Sequence, residues 1–218
     1  VISNMDPKFL YQSVLDKRHQ SFSAKIKAKH AKLSMGLFVL YFGTSTQYPE
    51  IVHHTIWLGK RYKSLLNDIF ERKALADDFS LYLHRPTATD PSMAPHGCDS
   101  FYVLAPVPNK QSGIDWAKEQ DAYAAKIIQA LEHSIMPGLS ESIVHQFVKT
   151  PDDFQTEYSS VDGSGFSIAP SFQQSAWFRF HNKAEGPENL YLCGAGTHPG
   201  AGVPGVLCSA KVVDKLIP

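Results

Sequence analysis

The spacing of apolar residues predicts strands and helices that alternate along the chain. A continuous apolar run over 37–42 predicts a strand covered on both faces, and alternation over 79–84 predicts another strand. Apolar residues at spacings of three and four predict helices over 59–70 and 115–135. Because strands and helices interleave, the predicted fold class is α/β, with an α+β middle segment.

Turn and cap residues delimit the other predicted elements. Pro7 opens a helix that runs to Leu15, and further strands are predicted over 101–104, 143–148 and 190–193. The last of these strands leads into a glycine-rich loop and a final helix. That helix has a predicted buried stripe, which consists of Val203, Val206, Leu207, Ala210 and Val213.

Composition limits the classes of protein that the chain can represent. Its 218 residues are 43% hydrophobic and 19% charged, a balance typical of a folded protein and not of a disordered one. Equal numbers of basic and acidic residues, 21 each, argue against a nucleic-acid partner. Neither a membrane-spanning run nor a signal peptide is predicted. Since the chain starts without Met and opens in mid-element, we expect it to be the later part of a longer protein.

The charges are unevenly distributed. Residues 1–110 carry 14 basic and 9 acidic side chains, whereas residues 111–218 carry 7 and 12. Most of the basic excess lies in one stretch, which contains Lys17, Arg18, Lys25, Lys27, Lys29 and Lys32. This stretch is interpreted either as a solvated helix face or as a surface for anionic lipid head groups.

The glycine-rich loop offers the clearest chemistry in the chain. Five glycines lie between positions 194 and 205, and Pro204 suits the first turn of the helix that follows. Unpaired backbone N–H groups at a helix N-terminus suit a phosphate or a ring edge that gains negative charge. The loop is not the GxGxxG turn of a first Rossmann βαβ unit, because position 199 is Pro and no βαβ unit follows. A simple glycine-rich turn before a capping helix is the alternative.

The loop also resembles the C-terminal flavin-binding motif of bacterial phytoene desaturases, which belong to the amine-oxidase-like flavoproteins. The resemblance extends in order along nearly the whole chain. The other segments that carry it are 34–43, 78–84, 102–108 and 174–179. It implies the C-terminal part of a two-domain FAD-dependent oxidoreductase fold, without the N-terminal Rossmann βαβ unit. Phe180, where the family usually has Pro, is a local departure from the pattern.

The resemblance implies FAD-dependent desaturation of phytoene toward neurosporene or lycopene. It assigns the cofactor to Gly194, Ala195, Gly196, Thr197, His198, Gly202, Val203, Pro204 and Gly205. No catalytic residue is assigned. Another carotenoid or polyene oxidoreductase, such as a diapocarotene desaturase, is an alternative, and so is a non-catalytic remnant that binds an apolar ligand.

The resemblance also implies an organisation and a location. Residues 1–33 are predicted to be a piece of the FAD-binding domain, 34–187 the substrate-binding domain, and 188–218 a C-terminal FAD-binding element. The expected partners are phytoene, a membrane surface and the missing N-terminal half of the same enzyme. Without that half, the chain is expected to be inactive alone. The predicted location is cytoplasmic, peripheral to the inner face of the cell membrane.

Other candidate residues have competing interpretations. His198 is either a base or a structural residue that contacts the ribityl chain. The pair His53 and His54 has no third ligand nearby in the sequence, so no metal site is predicted. The three cysteines fit no zinc spacing. The aromatic residues around 177–180 either line an apolar tunnel or pack in a core.

Overall fold

The computed structural model describes the whole chain, Val1–Pro218. Its strands are β1 (Ile2–Ser3), β2 (Gly36–Thr44), β3 (His54–Trp57), β4 (Leu81–His84), β5 (Asp99–Val107), β6 (Ile143–Lys149) and β7 (Tyr191–Leu192). Its α-helices are α1 (Pro7–Phe9), α2 (Phe22–His30), α3 (Tyr62–Asn67), α4 (Trp116–Ser134), α5 (Leu139–Ser142), α6 (Pro151–Tyr158) and α7 (Val203–Leu216). Leu10–Val14 and Asp68–Arg72 are π-helical turns that extend α1 and α3.

The chain forms two compact units. The middle unit is Leu37–Thr150, and the end unit combines Val1–Gly36 with Pro151–Pro218. Residues 151–187 therefore pack with the two ends of the chain, whereas the sequence places them in one segment with 34–150. This packing follows from short bridges in the end unit, where Leu33 pairs with Ile168 and Gly36 with Ser164.

The middle unit is built on a five-stranded sheet with the order β3-β4-β5-β2-β6. Strand β2 lies inside the sheet, and its residues 36–40 are all buried, which explains its continuous apolar run. Strand β6 pairs antiparallel with β2 and forms one edge, and β3 forms the other. The predicted strands over 37–42, 79–84 and 143–148 are present at closely similar bounds.

Helix α4 supplies the other side of this core. Strand β5 alternates strictly between buried and half-buried residues, and its inward side chains include Phe101 and Val103. They share a cluster with Ile127 and Leu131 of α4, which are fully buried. The strand continues to Val107 instead of stopping at Leu104. It continues through Pro106, which lies beyond the residues of β5 that pair with β4.

The end unit joins the two ends of the chain. Strands β1 and β7 pair in parallel, with Ile2 opposite Tyr191 and Ser3 opposite Leu192. A separate apolar cluster supports them and includes Leu10, Ile168 and Phe180. Parallel strands need a long connection, which here contains the whole middle unit.

The buried stripe predicted for α7 is only partly present: Val213 is buried and Val206 half-buried, but the other three members are exposed. Val203 and Leu207 are 75% and 63% exposed, and Ala210 is also exposed. The buried residues of α7 are Ser209 and Val213. The helix is turned this way because the Ser209 hydroxyl accepts a hydrogen bond from Gly194 N–H at 2.9 Å.

Two elements do not follow from the apolar pattern. Helix α2 buries only Ala24 and Ala28, so it lacks the stripe of large apolar residues that marks a helix. Strand β3 has only four residues, which alternate between exposed and half-buried, and none is buried. None of the helices has the length and apolar character needed to cross a bilayer.

Candidate functional site

The glycine-rich loop connects β7 to α7 within the end unit. The β1–β7 pairing ends with Cys193 N–H donating to the Ser3 carbonyl at 3.0 Å. Gly194 then turns the chain at a φ of +115°, a conformation that L-residues with a Cβ rarely adopt. The start of the loop is therefore fixed by the sheet on one side and by α7 on the other.

Thr197 points into the protein and holds the loop together. It is fully buried, and its hydroxyl donates to the Gly194 carbonyl at 2.9 Å. The Asn182 amide donates to the carbonyls of Leu192 and His198 at 3.1 and 2.9 Å. These contacts make Thr197 a residue that shapes the backbone of the loop from within.

Arg179 holds the loop in place through hydrogen bonds to backbone carbonyls. Its guanidinium donates to the carbonyls of Ala195 and Ile168 at 2.6 and 3.2 Å. Burial lowers the pKa of Arg179, and the charge of Asp6 opposes that shift. Burial likewise raises the pKa of Asp6, against the hydrogen bonds that its Oδ1 atom accepts from the backbone N–H groups of Lys8 and Phe9. The base of the loop thus contains a buried cation and a buried carboxyl group.

Two glycines of the loop lie where a side chain would collide. A Cβ on Gly196 would lie 2.5 Å from Pro7 Cδ and 2.6 Å from the Ser167 hydroxyl oxygen. A Cβ on Gly205 would lie 2.6 Å from the Gly200 carbonyl oxygen. Close backbone packing therefore requires glycine at both positions.

The end of the loop and the start of α7 are open. Gly202 has a φ of +90°, and a Cβ there would meet no heavy atom within 4 Å. The first N–H groups of a helix have no intrahelical acceptor, and here Val203 and Gly205 carry them. The Nδ1 atom of His198, earlier in the loop, is buried and has no hydrogen-bond partner. The open N–H groups can bind an electron-rich ligand.

A small cavity lies beside the buried part of the loop. Its volume is about 190 Å³, and Asp6, Tyr158, Ala195 and Gly196 are among its lining residues. Cavities for drug-sized ligands are generally about 300–1,000 Å³. This cavity can therefore hold part of a large cofactor and not the whole of it.

The nine predicted cofactor residues lie in one continuous loop–helix segment but divide into two groups. Gly194, Gly196 and Thr197 are buried, whereas Gly202, Val203 and Pro204 are exposed. The buried residues shape the loop, and the exposed residues leave their backbone accessible to a ligand. Whether either group contacts FAD stays a prediction.

The aromatic residues of the segment 177–180 also fall into a buried and an exposed group. Phe180 is buried and stacks on Tyr11, with ring centroids 5.6 Å apart, so it belongs to the core of the end unit. Trp177 and Phe178 are 68% and 54% exposed. Within the segment 177–180, these two aromatic side chains are the ones that can face a ligand or another surface.

Residues that fix the loop were not found from the sequence. Asp6, Arg179, Asn182 and Ser209 are far apart in the chain, and each is a common polar residue. Arg179 alone had a signal, because it lies inside the aromatic segment that carries the resemblance.

His53 and His54 have a third histidine beside them in the structure, which the sequence did not predict. His84 supplies the third side chain that is missing from the local sequence. One ring nitrogen from each of the three residues lies within 4.8 Å of the others.

Known proteins similar to this chain are carotenoid enzymes. The neurosporene-forming phytoene desaturase of Rhodobacter capsulatus is 46% identical over the whole chain, which spans 43% of that relative's length. The lycopene-forming phytoene desaturase of Pseudescherichia vulneris is 48% identical over the whole chain, which spans 44% of its length. This chain belongs to the bacterial phytoene desaturase family. It matches the C-terminal part of these relatives and spans less than half of their length.

A further relative has a different substrate in its name. The 4,4'-diapophytoene desaturase of Methylomonas is 37% identical over 87% of the chain. No protein-family model matches the chain.

Solved structures support the fold. An oxidoreductase from Methanosarcina mazei aligns with a TM-score of 0.59 at 16% identity, over 99% of this chain and 42% of its own. A variant of putrescine oxidase aligns with a TM-score of 0.57 at 8% identity, over the same shares. The chain therefore has the fold of part of these larger oxidoreductases.

Proposed function

We propose that the protein to which this chain belongs is a FAD-dependent desaturase that converts phytoene toward neurosporene or lycopene. The observation that carries this proposal is identity of 44–48% over the whole chain to phytoene desaturases with those products. The glycine-rich loop supports the proposal. Buried side chains hold its backbone in place, and the open N–H groups at the start of α7 are available to a cofactor.

The loop residues fit FAD in chemical character. Gly202–Gly205 would present the N–H groups of Val203 and Gly205 to an electron-rich edge, and Gly202 has no side chain to cover this helix end. His198 Nδ1 is the buried polar atom that a ribityl or pyrophosphate oxygen would satisfy. Bound FAD supplies the two-electron redox chemistry, and the protein supplies orientation and electrostatics.

Thr197 and Arg179 act on this site indirectly. Thr197 closes the loop through the Gly194 carbonyl, and Arg179 holds the Ala195 carbonyl. They keep the backbone donors in place before the cofactor binds, and such preorganisation reduces the cost of binding. We assign the end unit to the cofactor and the middle unit to the substrate.

An N-terminal half of the same enzyme is part of this proposal. The exposed face of α7, with Val203, Leu207 and Ala210, is the apolar surface that we assign to it. Such a half would hold the ADP part of FAD on a βαβ unit. Leu207→Asp in the complete protein should then reduce flavin content, and Lys211→Asp on the same helix should not.

Peripheral binding to the inner face of the cell membrane is also proposed. Phytoene is insoluble in water, so the enzyme must take it from a bilayer. Helix α2 offers apolar and basic contacts on one face, with exposed Phe22 and Ile26 beside exposed Lys25 and Lys29. Phe178 lies at the same groove as Phe22 and Ile26, which widens the apolar surface.

Product analysis tests the function. The complete protein should be expressed in cells that accumulate phytoene, and the pigments separated by chromatography. Neurosporene or lycopene is the expected product. Conversion of diapophytoene with unchanged phytoene would favour the diapocarotene alternative, and no conversion of either polyene would contradict the proposal.

A further inference from the structure

The middle unit contains a group of three histidines at the free edge of its sheet. His54 belongs to the edge strand β3 and lies directly opposite His84 of β4. His53 precedes β3, and its Nε2 atom lies 2.8 Å from His84 Nε2. We call His53, His54 and His84 the histidine cluster, and we propose that it binds a divalent transition-metal ion such as Zn²⁺.

The strand register explains why the rings meet. The backbone N–H of Arg85 donates to the carbonyl of His53 at 3.0 Å, so the ladder bond flanks the His54–His84 pair. His54 and His84 therefore form a non-hydrogen-bonded pair, in which opposing side chains approach more closely. Their rings are stacked, with centroids 5.2 Å apart and an angle of 19°.

Hydroxyl groups hold two of the rings by their Nδ1 atoms. His54 Nδ1 is hydrogen-bonded to the Tyr82 hydroxyl at 2.7 Å, and His53 Nδ1 is hydrogen-bonded to the Thr89 hydroxyl. When Nδ1 carries the proton of such a bond, Nε2 keeps a lone pair. The lone pair of His53 Nε2 then accepts a hydrogen bond from His84 Nε2, and a metal ion would replace that proton, which can move to the unpartnered His84 Nδ1. Histidines that bind metals are oriented in this way by a partner on the other ring nitrogen.

The distances are close to those of a bound ion. Zn–N bonds of about 2.0–2.1 Å in a tetrahedral site place two ligand nitrogens about 3.3 Å apart. The His53–His84 contact is shorter than this value, and the three ligand atoms span at most 4.8 Å. Small ring rotations suffice to reach the geometry, since His54 is exposed and His53 and His84 are half-buried.

The ligand type selects the class of metal. Three imidazoles without a carboxylate suit Zn²⁺, Cu²⁺ or Ni²⁺ better than Mg²⁺ or Ca²⁺. The nearest cation, Arg85, is already paired with Asp99 at 2.9 Å, so it does not oppose a bound ion as an unpaired charge would. A metal at this position would tie the edge strand β3 to β4, and water would complete the coordination.

Metal titration of the complete protein, prepared without a polyhistidine tag, tests this inference. Co²⁺ is followed by its visible absorbance and Zn²⁺ by calorimetry. We expect one ion per chain, with affinity reduced at least tenfold in His54→Asn and in His84→Asn. His96→Asn is the matched control, because His96 is exposed and lies in the middle unit outside the histidine cluster; it should bind as the wild type does.

A stability measurement separates loss of ligand from loss of fold. Zn²⁺ should raise the unfolding temperature of the wild type and of His96→Asn, since an ion that binds the native state stabilises it. It should not raise that of His54→Asn, whose exposed side chain can be replaced without disturbing the core. Equal Zn²⁺ affinity in wild type and His54→Asn, or fewer than one ion per chain at saturation, would overturn the proposal.

Discussion

At the scale of single residues, Gly205 combines close packing with a proposed place at the cofactor. Gly205→Ala would place a methyl group 2.6 Å from the Gly200 carbonyl oxygen and shift the start of α7. In the complete enzyme we expect at least tenfold weaker FAD binding, or about 1.4 kcal/mol. The measurement is the ratio of flavin to protein absorbance after purification.

A matched glycine provides the control for this variant. A Cβ on Gly43 of β2 would meet its nearest atom at 3.7 Å, an ordinary contact. Gly43→Ala should therefore retain its flavin. Equal flavin content in both variants would show that the position of Gly205 is unimportant for the cofactor.

Glu185 gives a pH-dependent prediction. Burial raises its pKa, but hydrogen bonds from Lys27 and Ser23 outweigh this and leave the pKa below its ordinary value of 4.5. A lowered pKa stabilises the fold above pH 4.5, and this stability is lost as the pH falls through the lowered pKa. Glu185→Gln should thus lower the free energy of unfolding at pH 7 by up to about 1 kcal/mol, since solvent screens the pair.

Urea unfolding at several pH values measures this effect. The difference between wild type and Glu185→Gln should shrink as the pH is lowered below 4.5. Glu188→Gln replaces an exposed carboxylate nearby in the chain and should show no such difference. A difference that stays constant with pH would mean that the charge of Glu185 is not responsible.

At the scale of elements, α2 combines basic and apolar exposure on a short helix. We expect the complete protein to float with vesicles that contain anionic lipid, and salt to weaken this binding. Lys25→Gln with Lys29→Gln should reduce the binding roughly tenfold or more, because each basic residue near such a surface contributes about 1 kcal/mol. Phe22→Ser should reduce binding to neutral vesicles as well.

The control for the α2 variants is a substitution of another exposed apolar side chain. Val144 of β6 is 68% exposed and belongs to the middle unit. Val144→Ser should leave vesicle binding unchanged. If neither salt nor the α2 substitutions change vesicle binding, the role proposed for this helix is wrong.

At the scale of the whole molecule, the two cores should respond separately to mutation. Ile127 in the middle unit and Ile168 in the end unit are at most 1% exposed, so truncation of either to Ala should cost about 2–5 kcal/mol of stability. Flavin content should fall in Ile168→Ala, because Arg179 binds the Ile168 carbonyl beneath the loop. It should stay normal in folded Ile127→Ala, and the opposite pattern would contradict our assignment of units.

The 218-residue chain by itself should bind FAD weakly and should not desaturate phytoene. A helix end contributes about 0.3–2 kcal/mol to the binding of a charge, whereas micromolar affinity requires about 8 kcal/mol. The cavity of about 190 Å³ beside the loop adds little enclosing surface. Titration of the isolated chain with FAD checks this, and tight stoichiometric binding would refute it.

The sequence by itself determined the elements whose pattern is long and periodic. Examples are the buried run of β2, the alternation of β4 and the apolar stripe of α4. They could be predicted because burial makes apolar residues recur with the period of the strand or helix. The motif segments and their order identified the family and the position of the glycine-rich loop. Each of these features depends on residues that are close together in the chain.

Tertiary structure decided whatever depends on residues far apart in the chain. Helix α7 turns Ser209 toward the Gly194 N–H group, so three of the five residues of its predicted apolar stripe are exposed. The anchors Arg179 and Asn182 act through backbone carbonyls, which leave no pattern in a sequence. His84 joins His53 and His54 only through the β3–β4 register, because strand pairing brings together residues that the chain separates by about thirty positions.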